Sequence, residues 1–164
     1  MKAASFDYHA PPTVESAVAL LQRFESEGLD AKVLAGGQSL MPRLNMRSAR
    51  PQVLIDLGRI GALDYIRAEG EEIAIGAMTS KRAAEDSALI KAHQPLFHAA
   101  TRLIGHLPVR NRGTVGGSFA HADPAAEYPA VALAQDLQMK AQGPNGTRLI
   151  AAQDFFVTFM TTSL

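Results

Sequence analysis

The chain contains no cysteine, and that absence removes several chemistries at once. Without thiols there is no disulfide, no catalytic thiolate and no thiolate-bound iron–sulfur cluster in this chain, and the composition is compatible with a reducing compartment. Net charge is missing too, because 16 basic residues balance 16 acidic ones. A neutral total gives no electrostatic drive toward nucleic acid or an anionic membrane, so an anionic ligand has to be held by backbone dipoles and a few local charges. The opening Met1-Lys2-Ala3-Ala4-Ser5-Phe6-Asp7 lacks the apolar core of a signal peptide, and no run is long enough to span a bilayer. A soluble cytoplasmic protein without membrane or nucleic-acid partners is expected. No internal repeat or low-complexity segment is present. What remains is 164 residues, 47% of them hydrophobic, enough to bury a core in one domain or two small lobes.

The residue pattern opens as a small α/β lobe. Phe6 and Tyr8 suggest a short strand, and Thr13 caps a helix in which Val14, Ala17, Val18, Leu21 and Phe24 recur at helical spacing before Gly28. A short buried strand over Ala31 to Ala35, a helix to about Met46 and a strand over Val53 to Leu57 follow. After Gly61 the pieces become antiparallel: Tyr65 to Ala68 and Glu72 to Ile75 flank the turn-like Glu69-Gly70-Glu71. Thr79 or Ser80 begins a helical region, Lys81 to Ile104, broken near Pro95. The stretch Pro108 to Pro129 has no clean period and reads as a working loop. Ala125 to Leu133 is predicted helical, with Pro129 tolerated in its first turn. Leu137 to Gln142 and Thr147 to Ala151 flank Gly143-Pro144-Asn145-Gly146, a second hairpin signal.

Two glycine pairs carry the functional signal. Ala35-Gly36-Gly37-Gln38-Ser39 joins a strand to the helical turn that starts at Leu40, and Thr114-Val115-Gly116-Gly117-Ser118 lies in the long loop. A glycine pair lets the backbone turn sharply and lets a bulky anion approach main-chain N–H groups with no Cβ in the way, while a helix start just beyond adds partial positive charge. Ser39, Thr114 and Ser118 carry hydroxyls that can bond phosphate oxygens. Turn and cap chemistry is the ordinary alternative for each.

The stretch from Val33 through Arg50, followed by Leu54-Ile55-Asp56-Leu57, resembles the FAD-binding medium subunit of molybdenum hydroxylases, the carbon monoxide dehydrogenase and xanthine dehydrogenase group. The second loop, Arg110 to Pro129, resembles it as well, and the likeness runs from Phe6-Asp7-Tyr8 to Asp154-Phe155-Phe156. The resemblance implies an α+β, two-lobed FAD-binding domain of the PCMH (vanillyl-alcohol oxidase-like) type. Its N-terminal α/β lobe covers residues 1–58 and its second lobe, with antiparallel sheet and helices, covers 59–164. FAD then lies between the lobes, with Val33, Leu34, Ala35, Gly36, Gly37, Gln38, Ser39 and Leu40 carried over for the first loop and Thr114, Val115, Gly116, Gly117 and Ser118 for the second. Valine at Gly36 or Gly117 is expected to abolish FAD binding with the fold largely intact. Glu127 falls where relatives carry an acidic residue at the flavin; it is either a ligand contact or a solvated first-turn residue. Ile104 falls where relatives place an apolar residue against the cofactor, though an isoleucine on a helix is usually core.

The implied activity is that of an oxidoreductase subunit, inactive alone. Electrons pass from a molybdenum-cofactor large subunit through the clusters of an iron–sulfur small subunit to FAD on this chain, and then to an external acceptor. No residue here needs to serve as acid, base or nucleophile, and no metal site is expected, since His121 and Asp123 lack a third ligand. Arg110 and Arg112 either neutralise pyrophosphate charge or face solvent or a partner. Relatives continue into a further domain beyond the stretch that ends here at Leu164, so that domain is expected to be absent. Two alternatives remain open at this point: a scaffold of the same fold that has lost FAD, and a covalent-flavin oxidase, against which loop one offers no histidine or cysteine.

Overall fold

The computed structural model describes residues 2–164, so Met1, the first residue of the stretch read for a leader, lies outside the described residues. The chain enters through strand β1 (Asp7–His9) and helix α1 (Val14–Ser26). Thr13 caps α1 by accepting the Ser16 amide, and the Ser16 hydroxyl reaches back to the Thr13 amide, so two otherwise orphaned donors are satisfied together. Strand β2 (Ala31–Leu34), helix α2 (Leu40–Asn45) and strand β3 (Val53–Asp56) follow. The three strands form a parallel sheet in the order β1-β3-β2. Val53, Leu54 and Ile55 are all buried, as an uninterrupted apolar run in a central parallel strand should be. Ala17 and Phe24 of α1 close over this sheet with Val53, Ile55 and Ile60.

One expectation fails here. The run Ala31 to Ala35 is an edge strand, not a buried one: it has a neighbour on one side only, and Val33 is 42% exposed.

Strands β4 (Ile66–Glu69) and β5 (Glu72–Ile75) make the expected hairpin, with Gly70 at φ 65° in the turn. The helical region after it divides into α3 (Lys81–Asp86), α4 (Ala88–His93) and α5 (Pro95–Leu103). Pro95 starts α5 as expected, but there is a second break at Ser87. That serine ends α3 and caps α4, accepting the Ile90 amide.

The stretch read as a long loop is largely helical: α6 (Leu107–Arg112), α7 (Val115–His121) and α8 (Glu127–Ala134) occupy most of it. Helices of six and seven residues span less than two turns, too short to print a 3.6-residue period. Strands β6 (Gln138–Gly143) and β7 (Gly146–Ala151) pair as expected. A short helix α9 (Ala152–Phe155) and a closing hairpin of β8 (Phe156–Thr158) and β9 (Thr161–Thr162) complete the chain. A second buried cluster joins Ala84, Ile90, Phe97, Val115 and Tyr128 across α3 to α8. Tyr128 stacks between Phe97 and Phe119, at centroid distances of 4.6 and 5.3 Å. Thr101 uses its hydroxyl proton on the Phe97 carbonyl, so the Tyr128 hydroxyl donates to Thr101 at 2.9 Å. No helix among the described residues is long and apolar enough to cross a membrane.

Candidate functional site

The carboxyl ends of parallel strands are where α/β sheets open into ligand crevices, and the main cleft of this molecule lies there. It encloses about 790 Å³ and is lined by Leu34 to Gln38 at the end of β2, by Met41 and Asn45 of α2, by Asp56 at the end of β3, and by Ser80, Asn111, Arg112 and Thr114 opposite. A volume of that order suits a large cofactor or ligand.

The two glycine pairs do different work. In loop one, Gly37 takes φ 73°, a left-handed conformation that glycine adopts without strain. Among the described residues, the amides of Gly36, Gly37, Gln38, Ser39 and Leu40 donate to no protein acceptor; the first engaged amide is that of Met41, bonded to the Gly37 carbonyl at 3.0 Å. Ser39 stands before α2 without a side-chain cap bond. Five successive amides without a protein acceptor, beside a cleft, leave donors available to an anion.

Loop two has no such surplus. The Val115 amide donates to the Thr79 carbonyl and that of Gly116 to Ala77, both at 2.9 Å; Gly117 donates to Thr114 Oγ1 at 3.1 Å and Ser118 to the Thr114 carbonyl at 3.2 Å. These amides are spent inside the protein. The glycines of loop two serve packing instead: a Cβ on Gly116 would stand 2.5 Å from that of Ala77, and one on Gly117 would stand 2.7 Å from Thr114 Oγ1 and 3.2 Å from the Ala35 Cβ. Gly36 also packs against backbone, since its Cβ would collide with the Arg112 carbonyl and come 2.7 Å from the Gly113 Cα. This corrects the expectation that valine at Gly36 or Gly117 leaves the fold intact: at both positions the added atoms meet protein before they meet a ligand.

Of the residues singled out from sequence, Leu34, Ala35, Gly36, Gly37, Gln38 and Thr114 come together in the cleft. Val33 is exposed on the edge strand, Ser39 is exposed beside the cleft, and Leu40 is half-buried at the start of α2; none of the three lines it. Val115 belongs to the core, whereas Gly116, Gly117, Ser118 and Glu127 are half-buried away from the cleft wall. Ser118 Oγ and the Glu127 carboxylate make no hydrogen bond or ion pair among the described residues, which leaves both available. Ile104 packs against the second core cluster. The two arginines separate. Arg110 is consumed, donating to Glu85 at 2.9 Å and to the carbonyls of Gly105 (2.9 Å) and Ile104 (3.2 Å), while Arg112 lines the cleft and forms no ion pair among the described residues.

Asp56 is the main residue that sequence reasoning missed. Its carboxylate accepts the Tyr8 hydroxyl at 2.5 Å and the Gly58 amide at 2.8 Å, and this hydrogen bond pushes the exposed Tyr8 phenol above its ordinary pKa. Its place at the carboxyl end of a parallel strand was the available signal. Among the described residues no group of three histidine, cysteine, aspartate or glutamate side chains could hold a metal ion. Asp123 instead accepts the Ala125 amide at 2.9 Å.

A parallel sheet whose strand ends open on a glycine turn with free amides, faced by an arginine and a threonine, is the kind of crevice in which α/β folds receive anionic nucleotides. Residues 4–164 match the family described as the FAD binding domain in molybdopterin dehydrogenase, and the chain belongs to that family. It is 46% identical over 157 residues to the carbon monoxide dehydrogenase medium chain of Hydrogenophaga pseudoflava, covering 95% of this chain and 54% of that one. It is 44% identical over 164 residues to the 6-hydroxypseudooxynicotine dehydrogenase complex subunit alpha of Paenarthrobacter nicotinovorans, covering 100% and 54%. Among solved structures, carbon monoxide dehydrogenase from H. pseudoflava lacking the Mo-pyranopterin moiety superposes with a TM-score of 0.96 at 44% identity, over 100% of this chain and 56% of that one. Quinoline 2-oxidoreductase from Pseudomonas putida 86 gives 0.93 at 32% identity, over the same shares. The chain thus spans about half the length of the relatives it matches. The α+β fold read from the sequence agrees with these structures.

Proposed function

We propose that this chain is the FAD-carrying, electron-transferring part of a molybdenum hydroxylase medium subunit. The observation that carries the reading is the run of five unpaired amides from Gly36 to Leu40 beside the cleft. Amides at the start of a helix have no intrahelical partner and are left to water or a ligand, and a diphosphate offers several acceptors in place of water. These amides hold the diphosphate, Arg112 offsets its charge from the opposite wall, and the Thr114 hydroxyl, whose oxygen already accepts the Gly117 amide, keeps its proton free to donate. Ser118 and Glu127 serve the parts of the cofactor that extend past the cleft wall, Glu127 by accepting hydrogen bonds from hydroxyl or imide groups. Bound FAD supplies the exchange between one-electron and two-electron carriers; the chain binds and orients it. With no cysteine, the chain relies on an iron–sulfur small subunit to deliver electrons and on a molybdenum-cofactor large subunit to oxidise the substrate. The 6-hydroxypseudooxynicotine relative is named as a subunit of a complex, which accords with this division of labour.

Freshly purified full-length protein should show flavin bands that leave the polypeptide on denaturation, and substrate turnover should arise only after the two partner subunits are added. Absence of FAD binding even on titration would favour a scaffold, and turnover by the isolated chain would refute the relay.

A further inference from the structure

Lys81 is a buried cation outside the cleft lining, and its partner is the ring of Tyr128, whose centroid lies 6.0 Å from Nζ. Its residue surface is 6% exposed, yet among the described residues its ammonium takes part in no hydrogen bond and no ion pair within 4.0 Å. It is also the first residue of α3, where the positive end of the helix dipole disfavours a cation. Burial lowers its pKa from the ordinary 10.5, and only the more distant Glu127 opposes that shift. Among the described residues, the sealed side-chain polar atoms without partners are Gln135 Oε1 and Ser163 Oγ, so the Lys81 ammonium is not fully sealed from solvent.

Its position explains where it points. Lys81 follows Ser80 of the cleft wall, and its amide donates to the Gly113 carbonyl at 2.8 Å. A Cβ on Gly113 would stand 3.3 Å from Lys81 Nζ and 3.5 Å from Gln38 Cγ. The ammonium therefore occupies the seam where loop one meets the turn before loop two, in space that the bare Gly113 leaves open. Burying a lysine without a carboxylate partner is costly, and groups perturbed by burial concentrate at functional sites.

The geometry points to Lys81 as a further binding residue of this site, its ammonium meeting the diphosphate of FAD from beneath the loop seam. The inference rests on FAD occupying the cleft. It deepens that reading by assigning the charge that main-chain amides and Arg112 do not fully offset.

The test uses full-length protein freed of flavin and titrated with FAD, and separately with ADP, which carries the diphosphate without the isoalloxazine ring. K81M keeps the apolar stem and removes the charge, and K81R restores a cation. K81M should weaken FAD and ADP binding by similar factors of tenfold or more, K81R should recover most of the loss, and the flavin-free K81M protein should melt no lower than wild type. Undiminished FAD affinity in K81M would overturn the inference, as would a loss confined to FAD with ADP unaffected, which would move the charge to the ring. A flavin-free K81M or K81R protein that fails to fold would make Lys81 structural and overturn it too. Failure of the wild-type protein to bind FAD would instead remove the underlying reading.

Discussion

Gly36 and Gly113 lie backbone against backbone: the position a Cβ on Gly36 would occupy is 2.7 Å from the Gly113 Cα, across 77 residues of sequence. The first glycine pair therefore has two tasks within adjacent residues, with Gly36 closing the contact and Gly37 turning the chain.

Gly36→Ala should destabilise the protein by about 1–3 kcal/mol, the usual cost of forcing atoms into a packed contact. FAD affinity should fall as a consequence of that disruption. Gly37→Ala should cost about 1–2 kcal/mol through left-handed backbone strain, because its neighbours there, Met41 Cγ at 3.1 Å and Leu34 Cδ1 at 3.4 Å, are side chains that can yield. Urea midpoints of the two variants measure both costs. A wild-type midpoint for Gly36→Ala would refute the close contact.

Thr114 and Ser118 should separate stability from binding. Thr114→Ala removes the cap of α7 and should cost about 0.5–2 kcal/mol of stability. Ser118→Ala removes a hydroxyl that bonds nothing in the protein, so the urea midpoint should stay put while FAD affinity drops by roughly 1.5–3 kcal/mol, one hydrogen bond to a charged group. Fluorescence titration with FAD reads the second effect.

The two arginines predict opposite outcomes. Arg110→Met breaks a half-buried ion pair with Glu85 and two bonds to carbonyls, and should lower stability by about 1–3 kcal/mol. Arg112→Met should change stability by less than about 0.5 kcal/mol and weaken FAD binding, most clearly at low salt. Calorimetry at two ionic strengths distinguishes them, and equal stability losses would contradict the assignment.

Lys81 should leave a signature in alkali. Its folded-state pKa lies below its unfolded value of 10.5, so between the two the unfolded chain binds more protons and stability rises with pH. The wild-type protein without flavin should therefore gain on K81M as pH climbs through the lowered pKa toward 10.5. Urea denaturation of both proteins across that range reads the difference, and a constant gap would show that Lys81 stays charged when folded.

Much of the fold was legible because single residues announced it. Thr13 marked the start of α1, Gly70 and Gly146 marked the hairpin turns, and the Val53-Leu54-Ile55 run marked the central strand. Helices α6 and α7 were hidden because each is shorter than two turns and their glycines and prolines look like loop residues. Loop one was readable as a tight glycine turn ahead of a helix from its local chemistry. The purpose of Gly116 was not, because it depends on Ala77, nearly forty residues earlier and silent by itself. Asp56 and Lys81 escaped for the same reason, since what they face comes from distant segments, and for Arg112 sequence left open whether it meets pyrophosphate, solvent or a partner.

The seam between the loops fixes more than a local contact. Backbone atoms meet across the cleft at Gly36 and Gly113, while the wall opposite loop one is tied to itself through main chain, the Lys81 amide bonding the Gly113 carbonyl and Ser80 bridging Thr114. Exposed side chains swap rotamers within nanoseconds, whereas main-chain hydrogen bonds such as Lys81 to Gly113 open with local unfolding. On the proposed reading the receptacle is largely formed by main-chain contact before FAD arrives, so binding should lose little affinity to ordering it.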